Sequence, residues 1–341
     1  MDKGKRKVYL DLVRIIAIFL VIFHHTSGIK LYNQAIGLEK WIYKSITIVT
    51  NIDVPLFFMA SGSVLLCKVE SYKTVLCKRV KRFLIVLLLF SFSFLLLKNM
   101  LYRDYTNSVK GFLFDVFANR INGLYSYWYL YAHLGLLFML PFMQRIAKSI
   151  GRQEFFSLLI LHFVFSSFVP MISGFFERYG YSVLVSSDFS IPIATSDAFF
   201  YPLVGYYIDN NFDIKSLTRK KIMGLISITI VGIMISVSMF FRFSDFVTAI
   251  AAFILIKYFV TVGCPKIQED KNGRIITFLG SLTFGMYLID PFLKVLIEGK
   301  YNSFVDSFVL IRSFGWCIIS MILGGTITYM LKKIPVFKQL L

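Results

Sequence analysis

An arginine and a histidine eleven residues apart in an apolar run are the groups in this chain best placed to do chemistry. They are Arg14 and His25, within Y-L-D-L-V-R-I-I-A-I-F-L-V-I-F-H-H-T-S-G from Tyr9 to Gly28. At ~100° per residue, eleven residues make close to three turns, so both lie on one helix face, roughly 16 Å apart along the axis. An imidazole can take the proton of an attacking alcohol and return a proton to a leaving group. A fixed guanidinium can hold a phosphate or stabilise developing negative charge. Asp11, three residues before Arg14, can pair with it. His24 points about 80° away from the Arg14 and His25 face. Charged and titratable groups are costly inside a membrane and by default mark a function. The plain alternatives are a snorkelling anchor for Arg14 and a core histidine for His25. The shared face weighs against them.

The elements that must carry these groups are membrane helices. The chain has 341 residues, 57% of them hydrophobic, with 37 Phe. Its mean hydropathy of +0.70 and recurring apolar runs of about 20 residues indicate an all-α, polytopic transmembrane helical bundle. Ten spans are expected, at approximately 8–28, 45–66, 82–101, 124–144, 154–171, 195–209, 221–241, 244–263, 274–297 and 307–331. No linker or separate soluble module interrupts them, so residues 1–341 read as a single integral-membrane domain. The first run lacks a small-residue cleavage pattern and reads as an uncleaved helix.

The formal net charge is +18. The Lys and Arg occur in short blocks between apolar runs, which marks cytoplasmic loops and contact with anionic lipid rather than nucleic acid. With the N-terminus inside, most of the 37 basic residues fall in inside segments, and an even span number puts both termini in the cytoplasm. Cys67, Cys77, Cys264 and Cys317 have no metal-ligand spacing, and no metal or disulfide is expected. Lys257, near the inner end of the eighth span, is expected to snorkel.

Further candidates lie along the chain. Asp53 and Pro55, in N-I-D-V-P-L-F-F-M-A-S-G-S, fall at a depth similar to His25. A carboxylate there needs a partner, and Asp53 is the candidate for orienting or charging His25. Pro55 frees a backbone carbonyl and suits a kink, while Ser61-Gly62-Ser63 suits close helix packing. Arg79 and Arg82 are three apart and share a face if a helix runs through them, which suits bidentate binding of phosphate oxygens. The same block also reads as a topology signal. Residues 112–121 suit an interfacial helix. L-Y-S-Y-W-Y-L-Y-A-H holds Trp128, Tyr129 and His133, an aromatic belt or a surface for sugar rings. His162 lies in the middle of the fifth span. The outer segment 172–194, with Glu177, Arg178, Tyr179, Tyr181 and Asp188, could line an acceptor cleft.

Several of these strings together resemble membrane acyltransferase family 3, the integral-membrane O-acyltransferases of bacterial polysaccharides and cell walls. They are D-L-V-R followed by ten residues and His25-Thr26, then V-P-L-F-F-M-A-S-G, Arg79-x-x-Arg82, W-Y-L-Y and Y-P-L-V-G-Y-Y-I-D. The ninth span adds L-G-S-L-T-F-G-M-Y-L-I-D-P-F, which resembles a family string usually written S-x-x-x-[FY]-G-I-Y-L-I-H; Asp290 replaces that His. The motifs cover almost the whole chain in the expected order.

The resemblance implies transfer of an acyl group, acetyl being the expected one, from a cytoplasmic acyl-coenzyme A to a hydroxyl of an extracellular or lipid-linked glycan or cell-wall polymer. His25 would be the general base, with Arg14 and Asp53 beside it in the catalysis. Arg79 and Arg82 would contact the donor, and Trp128, Tyr129, His133 and Asp290 the acceptor. Asp290 would either pair with a cation or signal a different acceptor. Acyl-coenzyme A is a co-substrate, and no cofactor is expected to be held permanently. The setting implied is multi-pass in a bacterial plasma membrane, with lipids, the glycan acceptor and glycan synthase or export machinery as partners. No G-x-S-x-G elbow accompanies the histidine. Direct transfer and an acyl-histidine intermediate both remain open. A rival class is a glycan or small-solute exporter, which ten spans with buried charge and Pro55 would also suit; the lack of an internal repeat weighs against it.

Overall fold

The computed structural model describes residues 6–26, 37–102, 111–177, 179–181, 195–239, 245–304 and 309–341. Among these residues the regular structure is helical, with no strand. Among the described residues, six helices are long and apolar enough to cross a membrane: Lys40–Leu65, Tyr72–Tyr102, Tyr125–Ser149, Arg152–Glu177, Asp245–Gly263 and Leu310–Leu331. A seventh candidate is the bent pair Lys271–Gly280 with Thr283–Ser303. The other expected spans, near 8–28, 195–209 and 221–241, fall on the helices Val8–His24, Asp197–Asn210 and Arg219–Met239. The protein is an all-helical, multi-pass membrane protein.

The chain divides into two compact units. The first holds Met1–Leu20, Ile29–Val69 and Phe142–Gly280. Its central helices, Asp53–Leu65 and Asp197–Asn210, are buried on nearly every side, as expected for helices that are apolar all round. Their backbones touch. A Cβ on Gly62 would overlap the backbone of Pro202, and one on Gly205 would overlap the backbone of Met59. The Ser63 hydroxyl lies 2.9 Å from both the Met59 and the Gly205 carbonyls. The small residues therefore do what close membrane packing requires of them. The second expected span breaks at Asn51 and Ile52. Pro55 follows in the first turn of the Asp53–Leu65 helix, where a missing N–H costs that helix no internal bond.

The second unit holds Val21–Gly28, Glu70–Pro141 and Ser281–Leu341. Here the Thr283–Leu293 helix packs on the Val309–Leu331 helix, with Gly285 against the Thr328 side chain. Pro291 lies inside the first of these helices and removes one of its donors. The chain then widens into a π-helical segment, Lys294–Glu298. Another such segment, Val75–Val80, precedes the Lys81–Tyr102 helix. Widened turns of this kind are frequent at functional sites. Two tyrosines tie the Thr283–Leu293 helix to the start of the Trp128–Ser149 helix. Tyr127 donates to the Leu288 carbonyl at 2.7 Å, and Tyr287 donates to the Ser126 carbonyl. The short helix expected after residue 111 is Phe112–Phe117, with Val116 buried and Leu113, Phe114 and Phe117 exposed.

Candidate active site

The second unit holds a histidine bonded to a buried carboxylate. His25 follows the Val8–His24 helix, and its own N–H still reaches back to the Val21 and Ile22 carbonyls. The Thr26 hydroxyl donates to the Phe23 carbonyl at 2.7 Å and closes the helix end. The Phe23 ring packs against Phe314, 5.0 Å between centroids. This anchored end presents the His25 ring to Asp290, with Nδ1 2.9 Å from Oδ2. The carboxylate is 2% exposed and the imidazole 25% exposed, so one end of the pair is dry and the other reachable.

Asp290 has a second partner. The Ser320 hydroxyl donates to Oδ1 at 3.0 Å. A buried carboxylate without hydrogen-bond donors would be costly, and here donors stand at both oxygens. Below it on the same helical path, Lys294 donates to the His25 backbone carbonyl and lies 3.9 Å from Glu298. In the neutral imidazole whose Nδ1–H donates to an Asp290 carboxylate Oδ2, Nε2 carries the lone pair and is the atom able to take a proton.

The other sequence candidates are placed as follows. The carboxylate at the His25 ring nitrogen is Asp290, which corrects the expectation that Asp53 orients this histidine. Asp53 belongs to the first unit, is buried, and accepts from the Val54 N–H at 2.6 Å. Similar depth along two helices does not set which way their side chains face. Arg14 pairs with Asp11 at 3.1 Å as the spacing predicts. Arg6 joins them with two bonds to the same carboxylate, at 2.7 and 2.8 Å. That leaves a buried carboxylate between two guanidiniums in the first unit.

Arg79 and Arg82 each have a partner of their own. Arg79 makes a two-pronged bond to Glu70, at 2.7 and 3.0 Å. Arg82 donates to the Leu340 carbonyl at 3.0 Å. Arg79 belongs to the π-helical segment and Arg82 to the α-helix after it, so the α-helical spacing argument does not carry across. Tyr129 is buried against Tyr287 and His133, while Trp128 is exposed. His133 is buried and stacks on Phe83, 4.5 Å between centroids. His162 is buried and stacks on Phe200 at 3.6 Å. Lys257 does not snorkel. It is buried and donates to the Ile208 and Asp209 carbonyls at 2.6 and 3.2 Å, because a helix end there leaves carbonyls to satisfy. The Asp209 carboxylate accepts from Lys7 and Tyr9 as well. Of the segment 172–194, Arg178 and Asp188 lie outside the described residues.

Ser320, Lys294 and Tyr127 are the residues of this site that sequence reasoning missed. A serine in an apolar span and a lysine in an outer block carry no distinguishing signal. Tyr127 is inside the aromatic string singled out above, yet it acts through its hydroxyl on the backbone.

Membrane-length helices and a histidine bonded to a buried carboxylate define an integral-membrane protein with a candidate acid–base centre. The family model Acyl_transf_3, described as an acyltransferase domain, matches residues 7–330. The protein belongs to this acyltransferase family and is an enzyme of acyl transfer. No curated protein and no solved structure matches the chain.

Proposed function

We propose that this enzyme is a membrane O-acyltransferase. It moves an acyl group, acetyl in the first instance, from cytoplasmic acyl-coenzyme A to a hydroxyl of an extracellular or lipid-linked glycan or cell-wall polymer. The observation that carries the reading is the His25 and Asp290 pair, a partly exposed imidazole on a buried carboxylate, in a chain that matches an acyltransferase family over residues 7–330. In the reaction the acceptor oxygen attacks the thioester carbonyl while His25 Nε2 takes its proton. The C–S bond then breaks, the new C–O ester bond remains, and the leaving thiolate receives the proton from His25. Asp290 holds the ring in the tautomer that permits this and balances the imidazolium as it forms. The same pair would serve direct transfer or an acyl-histidine route.

Arg14 is the fixed cation proposed for donor phosphate. Arg79 is the proposed donor contact, exchanging Glu70 for phosphate. Trp128, exposed at the start of its helix, is the proposed acceptor contact. Residues 1–341 form one acyltransferase domain in this reading, with ten spans and both termini in the cytoplasm of a bacterial cell. The experiment is to incubate purified enzyme in lipid with radiolabelled acetyl-coenzyme A and a membrane glycan fraction. Label is expected in the glycan as a base-labile ester. Absence of label from acetyl and longer acyl donors alike would overturn the proposal.

A further inference from the structure

We infer that Ser320 is a positioning residue for acyl transfer, fixing the Asp290 carboxylate so that its other oxygen faces His25. This rests on the reading of His25 as the base and deepens it. The Ser320 hydroxyl lies 3.0 Å from Oδ1, and His25 Nδ1 lies 2.9 Å from Oδ2. Both residues behind the histidine are out of water: Ser320 is 1% exposed and Asp290 2%. An aspartate side chain can turn about its bond to Cβ and present either oxygen, or neither, to a partner. A donor at Oδ1 removes that freedom.

The arrangement has a direction. A hydroxyl can both give and accept, but an ionised carboxylate only accepts. The hydroxyl proton therefore goes to Oδ1, and the Nδ1 proton goes to Oδ2. Each bond fixes the donor sense of its neighbour, and in the neutral imidazole the chain ends at Nε2 with a lone pair. Ser320 lies on the Val309–Leu331 helix and Asp290 on the Thr283–Leu293 helix. The packing of those two helices thus sets the orientation of a group on a third segment. Ser320 touches neither donor nor acceptor in this scheme and acts through Asp290.

The test compares Ser320→Ala, Ser320→Cys and Ser320→Thr in lipid with radiolabelled acetyl-coenzyme A and a membrane glycan fraction, with rates normalised to folded protein. Ser320→Ala is expected to lower kcat roughly ten- to a hundredfold, the scale of one hydrogen bond to a charged group. The KM for acetyl-coenzyme A should stay unchanged and the solvent deuterium isotope effect on kcat should rise, because proton transfer becomes slower. Ser320→Cys keeps the volume with a weak donor and should resemble Ser320→Ala. Ser320→Thr keeps the hydroxyl and should recover most of the rate. The inference is overturned if kcat and the isotope effect stay at the wild-type value in the Ala and Cys variants. It is equally overturned if the rate falls with no change in isotope effect and Thr does not recover it, since that is the signature of packing alone. His25→Ala run alongside separates the two levels. An active His25→Ala removes the base reading itself, whatever Ser320 does.

Discussion

Lys294 donates to the backbone carbonyl of His25, one helical turn beyond the aspartate that bonds the same residue's ring. The last carbonyls of a helix have no partner within it, and a cation there also complements the negative end of the helix. His25 is therefore held at two points, backbone and ring, by residues four apart. A catalytic histidine gains from such restraint, because a base must stand within hydrogen-bond reach of the proton it removes.

His25→Ala should abolish most acyl transfer while leaving a protein that inserts normally. Loss of a general base typically costs ~10²–10⁴ in rate. His24→Ala should cost far less, since its position is turned about 80° from the helix face that carries Arg14 and His25. Initial rates of label transfer at matched protein levels check both. A dead His24→Ala beside a near-normal His25→Ala would reverse the assignment.

Asp290→Asn keeps the side-chain volume and removes the charge. Its amide can turn an N–H toward Nδ1, which would place the proton on Nε2 and close the atom needed as base. The expected result is a fall in kcat on the order of 10²–10⁴ with little change in donor KM. Steady-state kinetics at varied acetyl-coenzyme A is the measurement. A variant with wild-type kcat would leave Asp290 with a purely structural role.

Arg79 is occupied by Glu70 in the structure. Glu70→Gln weakens that hold and should lower the apparent KM for acetyl-coenzyme A, while Arg79→Ala with Arg82→Ala should raise it. Opposite movements of KM in the two variants are the expected pattern. If neither variant moves KM in an active enzyme, the basic block serves topology alone.

Single cysteines at Lys5, Asp115 and Lys338, in a protein otherwise lacking cysteine, report the topology. An impermeant maleimide added to intact cells should label position 115 and spare positions 5 and 338. Labelling at 5 or 338 would put a terminus outside and reverse the proposed direction of transfer.

The helical, membrane-spanning nature of the chain was legible because apolar runs of membrane length leave few alternatives. The Asp11 and Arg14 pair was legible for a local reason: three residues on a helix fix a distance. Asp290 stood out as a departure from the family string, but its partner did not, since His25 is 265 positions away in sequence. The expectation for Asp53 used depth without azimuth, and two helices at equal depth can face in any direction. The Glu70 partner of Arg79 was not legible, since a π-helical segment changes the spacing on which a helical pairing would be read. The buried place of Lys257 is not legible, because hydropathy cannot register two backbone carbonyls at the end of another helix. Ser320 had no signal at all, since a single hydroxyl in an apolar helix is ordinary.

The reciprocal contact of Gly62 with Pro202 and of Gly205 with Met59 ties two positions 143 residues apart into one mutational unit. Either Gly→Ala change would force the same two backbones to separate. Once they have separated, the second alanine has room, so the double variant should lose much less stability than the two single losses added together. A larger residue at one position thereby relaxes the demand at the other. The route by which this helix pair could diverge in sequence runs through paired substitutions rather than single ones.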